Sequence, residues 1–171
     1  SHGIVDAVLP VEQLREVAAR GLRVLAGVAE ARTHEPRPLD PVGVIEPTSA
    51  WDSVVRSRRA DRPGVRALLK YGAADVLPLN GSGEGDTDPE LFLALARFGV
   101  APCIVIGQDR RGHEVQPLGP AGLRTARRGM YMAAELGLPV VTVIDTAGAA
   151  LSKSAEESAL AGEIARSIAQ L

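Results

Sequence analysis

The sequence predicts an α/β fold, and three observations carry that expectation. Residues 140–144 (Val-Val-Thr-Val-Ile) are an uninterrupted β-branched run, the composition of a strand buried on both faces of a parallel sheet. Residues 103–107 (Cys-Ile-Val-Ile-Gly) form a second apolar run. Between them, from about Ala121 to Leu136, Leu123, Ala126, Met130 and Ala133 or Ala134 recur at helical spacing. The three segments read as a strand, a crossover helix and a parallel strand, with the right-handed connection such units take. Pro139 sits where a strand begins without losing a ladder donor.

At 171 residues the chain is long enough for one domain with a sizeable core. Hydrophobic residues at 46% and charged residues at 23% are an ordinary globular composition. A net charge of −2 offers no general electrostatic case for a nucleic acid or an anionic membrane as partner. Cys103 is the only cysteine, which excludes a disulfide framework and a thiolate zinc site. Set in an apolar run, it reads as a buried inert thiol. No apolar segment approaches membrane-spanning length, and the N-terminus lacks a charged-then-apolar signal pattern, so the cytoplasm is the default location. Aromatic residues make up 3%, so the core must be aliphatic.

Taken in order, residues 3–10 (Gly-Ile-Val-Asp-Ala-Val-Leu-Pro) read as a short strand closed by a proline. Residues 11–25 read as a helix with Leu14, Val17, Ala18, Leu22 and Leu25 on one face. A chain opening directly on a strand suggests an excised piece. Residues 32–47 hold Pro36, Pro38, Pro41 and Pro47, a density that favours an extended connector between two structural units. Ser49, three residues before Asp52, resembles a capping arrangement, so 51–58 should be a short helix. Trp51 reads as a packing anchor and Arg56-Ser57-Arg58-Arg59 as a solvated face. Arg62-Pro63-Gly64 is a turn, and 65–71 a helix ending at Gly72.

Residues 80–86 are glycine-rich but lack the Lys-Ser/Thr of a phosphate cradle and carry Glu84 and Asp86, so a flexible loop is expected. Residues 89–98 admit two readings. Behind Asp88 as a cap, Leu91, Ala94, Leu95 and Phe98 have helical spacing; as a strand, the segment would form a hairpin with 103–107 across Gly99-Val100-Ala101-Pro102. A polar stretch with Asp109, Arg110, Arg111, Gly112, His113 and Glu114 follows, and Pro117-Leu118-Gly119-Pro120 leads into the crossover helix. On that helix Arg124, Arg127 and Arg128 fall away from the apolar face. A last helix, 154–171, carries Leu160, Ile164, Ile168 and Leu171 with no element after it to cover them, a second hint of a fragment.

Side-chain chemistry is sparse. None of His2, His34 and His113 stands against a Ser-Asp pair at a nucleophile elbow, and no metal-ligand pair has helical spacing. Asp145 ends a strand, where a carboxylate serves either catalysis or the capping of the next turn. What remains is backbone chemistry. The buried run stops on Asp145-Thr146-Ala147-Gly148-Ala149, small residues that leave N–H groups able to face a ligand. The alternative is a simple strand-to-helix turn.

A set of ordered motifs adds to this reading. Arg62-Pro63-Gly64-Val65, the stretch 81–88, Ala96-Arg97-Phe98-Gly99 and 102–107 are followed by 136–149, Ala155-Glu156-Glu157 and 161–166 (Ala-Gly-Glu-Ile-Ala-Arg). Over about residues 47–171 this order and spacing resemble the α-type half of acyl-CoA carboxylase carboxyltransferases. Residues 2–25 resemble the closing strand and helix of the β-type half. The resemblance therefore implies a fused β–α polypeptide. Residues 1–28 would end an N-terminal crotonase-like domain, 29–47 would be a proline-rich linker, and 48–171 would be the first part of the α-type domain.

The fold implied is the crotonase-like spiral of β-β-α units, incomplete in this fragment, which makes 89–98 a strand against its local propensity. The activity implied is transfer of a carboxyl group from carboxybiotin to acetyl-CoA or a related acyl-CoA. Biotin on a separate carrier would be the cofactor and a coenzyme A thioester the substrate. Biotin carboxylase and biotin carboxyl carrier subunits would be partners, in a homo-oligomer or an α/β hetero-oligomer. In such enzymes backbone N–H groups hold the thioester enolate and the ureido oxygen of biotin. Carried onto this chain, the Gly148 and Ala149 N–H groups would be catalytic donors, and Gly107, Thr146 and Ala147 would contact substrate.

The chain departs from the family pattern twice. Ala147 replaces the proline of Asp-Thr-Pro-Gly, and Asn80-Gly81-Ser82 replaces His-Gly-Asp. A second glycine-rich oxyanion segment is expected after Leu171, so the 171-residue piece alone should be inactive. The departures leave two other readings: a degenerate subunit kept for assembly, or another crotonase-type hydratase or hydrolase acting on acyl-CoA.

Overall fold

The structure is a computed structural model that describes residues 3–27, 48–59, 61–108, 117–146 and 148–171. The linker 29–47, the polar stretch 109–114, Ala147, His2, His34 and His113 lie outside the described residues. In chain order the elements are α1 (Val11–Ala26), α2 (Ala50–Ser57), α3 (Val65–Gly72), β1 (Asp75–Leu79), β2 (Leu91–Phe98), β3 (Ala101–Gln108), α4 (Pro120–Leu136), β4 (Val140–Val143), α5 (Lys153–Glu157) and α6 (Leu160–Gln170).

Four strands form one sheet in the order β1-β2-β3-β4. β1 with β2 and β2 with β3 are antiparallel; β3 with β4 is parallel, with Gly107 level with Val143. Residues 89–98 resolve in favour of the strand. Helical spacing on Leu91, Leu95 and Phe98 loses because the segment is the central strand of two antiparallel ladders. Gly99, at φ +58, opens a two-residue hairpin loop, the position where such loops favour glycine. β1 escapes notice in the sequence because it is short and contains Pro78. At a sheet edge a proline costs no ladder bond that the neighbour needs.

Side-chain alternation sorts the core into two clusters. Leu93, Leu95, Ile104 and Ile106 meet Val24 of α1 and Ala126 and Ala133 of α4. Phe92, Ala94, Ala96, Cys103 and Val105 meet Val65 and Leu69 of α3 on the other face. The sheet thus lies between α1 with α4 and α3. α4 approaches closely because its inward positions are small: Gly122, Thr125, Ala126, Gly129 and Ala133. A Cβ on Gly129 would come within 2.5 Å of Leu93 Cδ1. Burial pushes the Cys103 thiol pKa up, consistent with an inert side chain.

Several sequence expectations are corrected. Residues 3–10 form bends and irregular backbone rather than a strand. Gly3 has φ +72, and its carbonyl accepts from the Gly83 N–H at 2.8 Å, so its pairing goes to the glycine-rich loop and not to a sheet. Residues 140–144 are not buried on both faces: Val140 is 40% exposed and Ile144 81%, because β4 is an edge strand with one neighbour. Trp51 is exposed, not the packing anchor expected, and α2 contributes no buried residue. The Ser49 cap on Asp52 N–H is present at 3.1 Å, and residues 56–59 are exposed as expected.

The final helix is broken at Ser158 and Ala159 into α5 and α6. Its buried face carries Leu160, Glu163 and Ser167, while Ile168 is 65% exposed. Arg124, Arg127 and Arg128 do not point into bulk water. Arg124 and Arg127 pair with Glu163, and Arg128 with Asp6.

Candidate active site

β3 and β4 run parallel and end side by side, so Ile144 leaves β4 at the same end of the sheet as Gln108 ends β3. Among the residues singled out in the sequence, Gly107 is the penultimate residue of β3, level with Val143, and Thr146, Gly148 and Ala149 follow β4. Ala147, between them in sequence, lies outside the described residues.

Each position has its own physical setting. Gly107 is buried, and a Cβ there would stand 2.5 Å from Val65 Cγ2, so helix packing explains the glycine. Gly148 has φ +109, a conformation that side chains rarely adopt, and a Cβ there would meet nothing within 4 Å. The turn therefore borders open space. The Gly148 N–H donates to Thr146 Oγ1 at 2.8 Å, an exposed bond that a side-chain rotation would release. Gly148 O accepts from the Leu118 N–H at 3.2 Å, and the Ala150 N–H donates to Leu118 O at 3.0 Å. This isolated parallel bridge directs the Ala149 N–H to the opposite side, where no acceptor among the described residues takes it.

Two side chains that the sequence does not assign to the site hold its near end. The Asp145 N–H donates to Gln108 Oε1 at 2.8 Å. The Asp145 carboxylate pairs with the Arg62 guanidinium. Arg62 stands just before Pro63-Gly64, at the entrance of α3. The only signal for these contacts in the sequence is polarity at strand ends, which names no partner.

A largely apolar groove of about 530 Å³ lies between α3 and β4, lined by Pro63, Ala67, Leu68, Tyr71 and Val143 among others, and none of Gly107, Thr146, Gly148 and Ala149 borders it. A second cleft, also about 530 Å³, is lined by Asp6, Arg66, Asn80, Asp88 and Phe92 among others. The Arg66 guanidinium there lies 4.5 Å from the Phe92 ring centroid. None of the residues that the sequence assigns to the site borders this cleft.

The glycine-rich segment 80–86 is fixed by its neighbours, contrary to the flexible loop expected. The Asn80 N–H donates to Asp6 Oδ1 at 3.0 Å, and Arg128 donates to the carbonyls of Asn80 and Gly81. Ser82 is buried and hydrogen-bonded to Asp86, which in turn pairs with Arg124. Burial pushes the Asp86 carboxyl up, but Ser82 and Arg124 outweigh it and hold the pKa below the usual carboxylate value.

The fold is mixed α/β and resembles that of a carboxylase β subunit. The geranyl-CoA carboxylase β subunit of P. aeruginosa aligns with TM-score 0.50 and 19% identity over 96% of this chain and 31% of that one. The acetyl co-enzyme A carboxylase carboxyltransferase-like family model matches residues 40–171, and the chain belongs to that family. A probable biotin-dependent acyl-coenzyme A carboxylase beta3 subunit of Mycobacterium tuberculosis is 51% identical over 171 residues, 99% of this chain and 34% of that protein. The acetyl-coenzyme A carboxylase carboxyl transferase subunits beta/alpha of Frankia alni are 36% identical over 184 residues, 98% of this chain and 30% of that protein. The chain spans about a third of the length of these relatives. Among the described residues no helix is long and apolar enough to cross a membrane.

Proposed function

We propose that this chain is part of the carboxyltransferase component of a biotin-dependent acyl-CoA carboxylase, acting on acetyl-CoA or a related acyl-CoA. The observation that carries the reading is the family match over residues 40–171, with the strand-end turn at 145–149 inside it. The finer fold proposed is the crotonase-like spiral: β2, β3 and α4 make one β-β-α unit, and β4 begins the next. Residues 1–28 are proposed to end the β-type half, 29–47 to link, and 48–171 to open the α-type half. Partners are proposed to be biotin carboxylase and biotin carboxyl carrier subunits in a cytoplasmic oligomer.

In this reading carboxybiotin, delivered on its carrier, supplies the carboxyl group and the base for the acyl α-proton. The chain's contribution is binding and electrostatics. The Ala149 N–H, joined by the Gly148 N–H once Thr146 rotates, donates to an oxygen that gains negative charge, and such a donor contributes about 3 kcal/mol to a transition state. The apolar groove between α3 and β4 takes up the non-polar part of the ligand. Gly107 frames the site from below and Thr146 from its rim.

The test is transfer. Full-length protein mixed with carboxylated carrier and acetyl- or propionyl-CoA should form the carboxylated CoA; absence of product rejects the reading. A second reading, a fold kept for assembly, is favoured by Asn80-Gly81-Ser82, whose backbone and side chains are committed to Asp6, Arg128 and Asp86. It predicts co-purification with a biotin carboxylase and activity only through another carboxyltransferase.

A further inference from the structure

We propose that Arg62 and Gln108 are positioning residues that fix the direction in which the 145–149 turn leaves the sheet; the catalytic consequence rests on the function proposed above. β4 ends at Val143, and Ile144 is 81% exposed, so the ladder supplies no hold beyond that point. The next residue, Asp145, is held at two atoms by two different elements. Gln108, the last residue of β3, accepts from the Asp145 N–H at 2.8 Å and so replaces the ladder carbonyl that β3 no longer offers. Arg62, 83 residues away in sequence, pairs with the Asp145 carboxylate from the entrance of α3. That carboxylate is 14% exposed and the guanidinium 34%, so water screens the pair only in part.

One feature separates this arrangement from a contact kept for folding. Arg62 Nε is buried and has no acceptor among the described residues. A buried unmatched donor destabilises and offsets part of what the ion pair contributes. Removing the side chain relieves that cost but leaves the part-buried Asp145 carboxylate without its guanidinium, with the Gln108 bond still in place. The expected result is a protein that still folds, at some loss of stability, with a turn that has lost its aim. Three residues on stand Gly148 and Ala149, whose N–H groups act only when they face the reacting oxygen, and misplacing such groups by about 1 Å costs up to about a hundredfold in rate.

The experiment uses full-length protein and compares Arg62→Ala, Arg62→Lys, Gln108→Leu and Asp145→Asn. Hydrogen exchange reads the clamp without activity. Exchange of the Asp145, Gly148 and Ala150 amides should rise about tenfold or more in Arg62→Ala, with the core strands unchanged. Carboxyl transfer reads the consequence: kcat should fall about tenfold or more, with the KM for acyl-CoA within about twofold. Arg62→Lys should recover most of the loss, and Arg62→Ala with Asp145→Asn should be no worse than the poorer single variant. Unchanged exchange overturns the clamp. Faster exchange with unchanged kcat overturns the positioning role, as does a loss of activity that follows only the folded fraction. If the wild-type protein transfers no carboxyl group, the proposed function fails, while the exchange comparison still decides the clamp. Should Arg62→Ala not fold, Gln108→Leu carries the same comparison from the other side of Asp145.

Discussion

Ala159 carries a side chain at φ +65, alone in this among the described non-glycine residues, at the break between α5 and α6. The left-handed region costs an L-residue about 1–2 kcal/mol. Glycine removes that cost but adds about 0.4–1 kcal/mol of unfolded-state entropy. Ala159→Gly should therefore stabilise by roughly 0.5 kcal/mol, read as a higher urea midpoint at unchanged slope. Gly107 makes the opposite case. Its Cβ position lies 2.5 Å from Val65 Cγ2 and 2.9 Å from Val65 Cβ, so Gly107→Ala should cost about 1–3 kcal/mol. Adding Val65→Ala should recover part of that, because the two substitutions share one space. A glycine flanked by apolar residues is visible in the sequence; the residue above it is not.

At the scale of elements, α4 and α6 join through charge rather than through the apolar stripe. Glu163, 4% exposed, receives Arg166 at 2.7 Å, Arg124 at 3.3 Å and Arg127. The bond from Arg166 leads, and those from Arg127 and Arg124 add to it against the burial penalty, holding the carboxyl at about 2, below the usual 4.5. A depressed folded-state pKa means stability that is present above about pH 4.5 and lost as pH falls toward 2. Glu163→Gln should lower stability at neutral pH by on the order of 2 kcal/mol, discounted because the 55% exposed Arg166 is water-screened. The gap to wild type should close between pH 4.5 and 2, which chemical denaturation at stepped pH will show. A gap that persists unchanged at pH 2 would contradict this account. The helical stripe Leu160, Ile164, Ile168 is legible in the sequence; that the helix turns Glu163 inward is not, because two of its three partners, Arg124 and Arg127, sit on α4 about 36–39 residues earlier.

Across the whole molecule, residues 3–6 close onto the glycine-rich loop and α4. Asp6 accepts from Arg128 at 2.9 and 2.8 Å and from the Asn80 N–H at 3.0 Å. Burial pushes its carboxyl up, but Arg128 and Asn80 prevail and keep the pKa low. A Cβ on Gly81 would stand 2.2 Å from Gly3 Cα, and one on Gly3 2.1 Å from the Asp86 carbonyl oxygen, so neither site has room for a side chain. Asp6→Ala should destabilise by about 1–3 kcal/mol, since it removes the carboxylate that accepts from Arg128 and from the Asn80 N–H and leaves Arg128 only the carbonyls of Asn80 and Gly81. It should also speed proteolysis within 80–86. Equal cleavage rates in wild type and variant would mean that the loop holds itself.

The sequence by itself determined the element types wherever a segment has one dominant period. The crossover unit of β3, α4 and β4, the capped α2 and the helices α1 and α3 follow from spacing and caps that act within a few residues. It also nominated the strand end after residues 140–144 as the candidate site, because a β-branched run ending in small residues leaves N–H groups able to face a ligand. Only the tertiary structure decided the rest. β2 is a strand because two neighbours use its backbone, a reward that local propensity cannot register. The 3–10 segment is not a strand because its hydrogen bonds are taken by a loop some 80 residues away. Whether the turn after β4 is held, and by Arg62 and Gln108, depends on groups 83 and 37 residues distant, and only the folded chain brings them within hydrogen-bond reach.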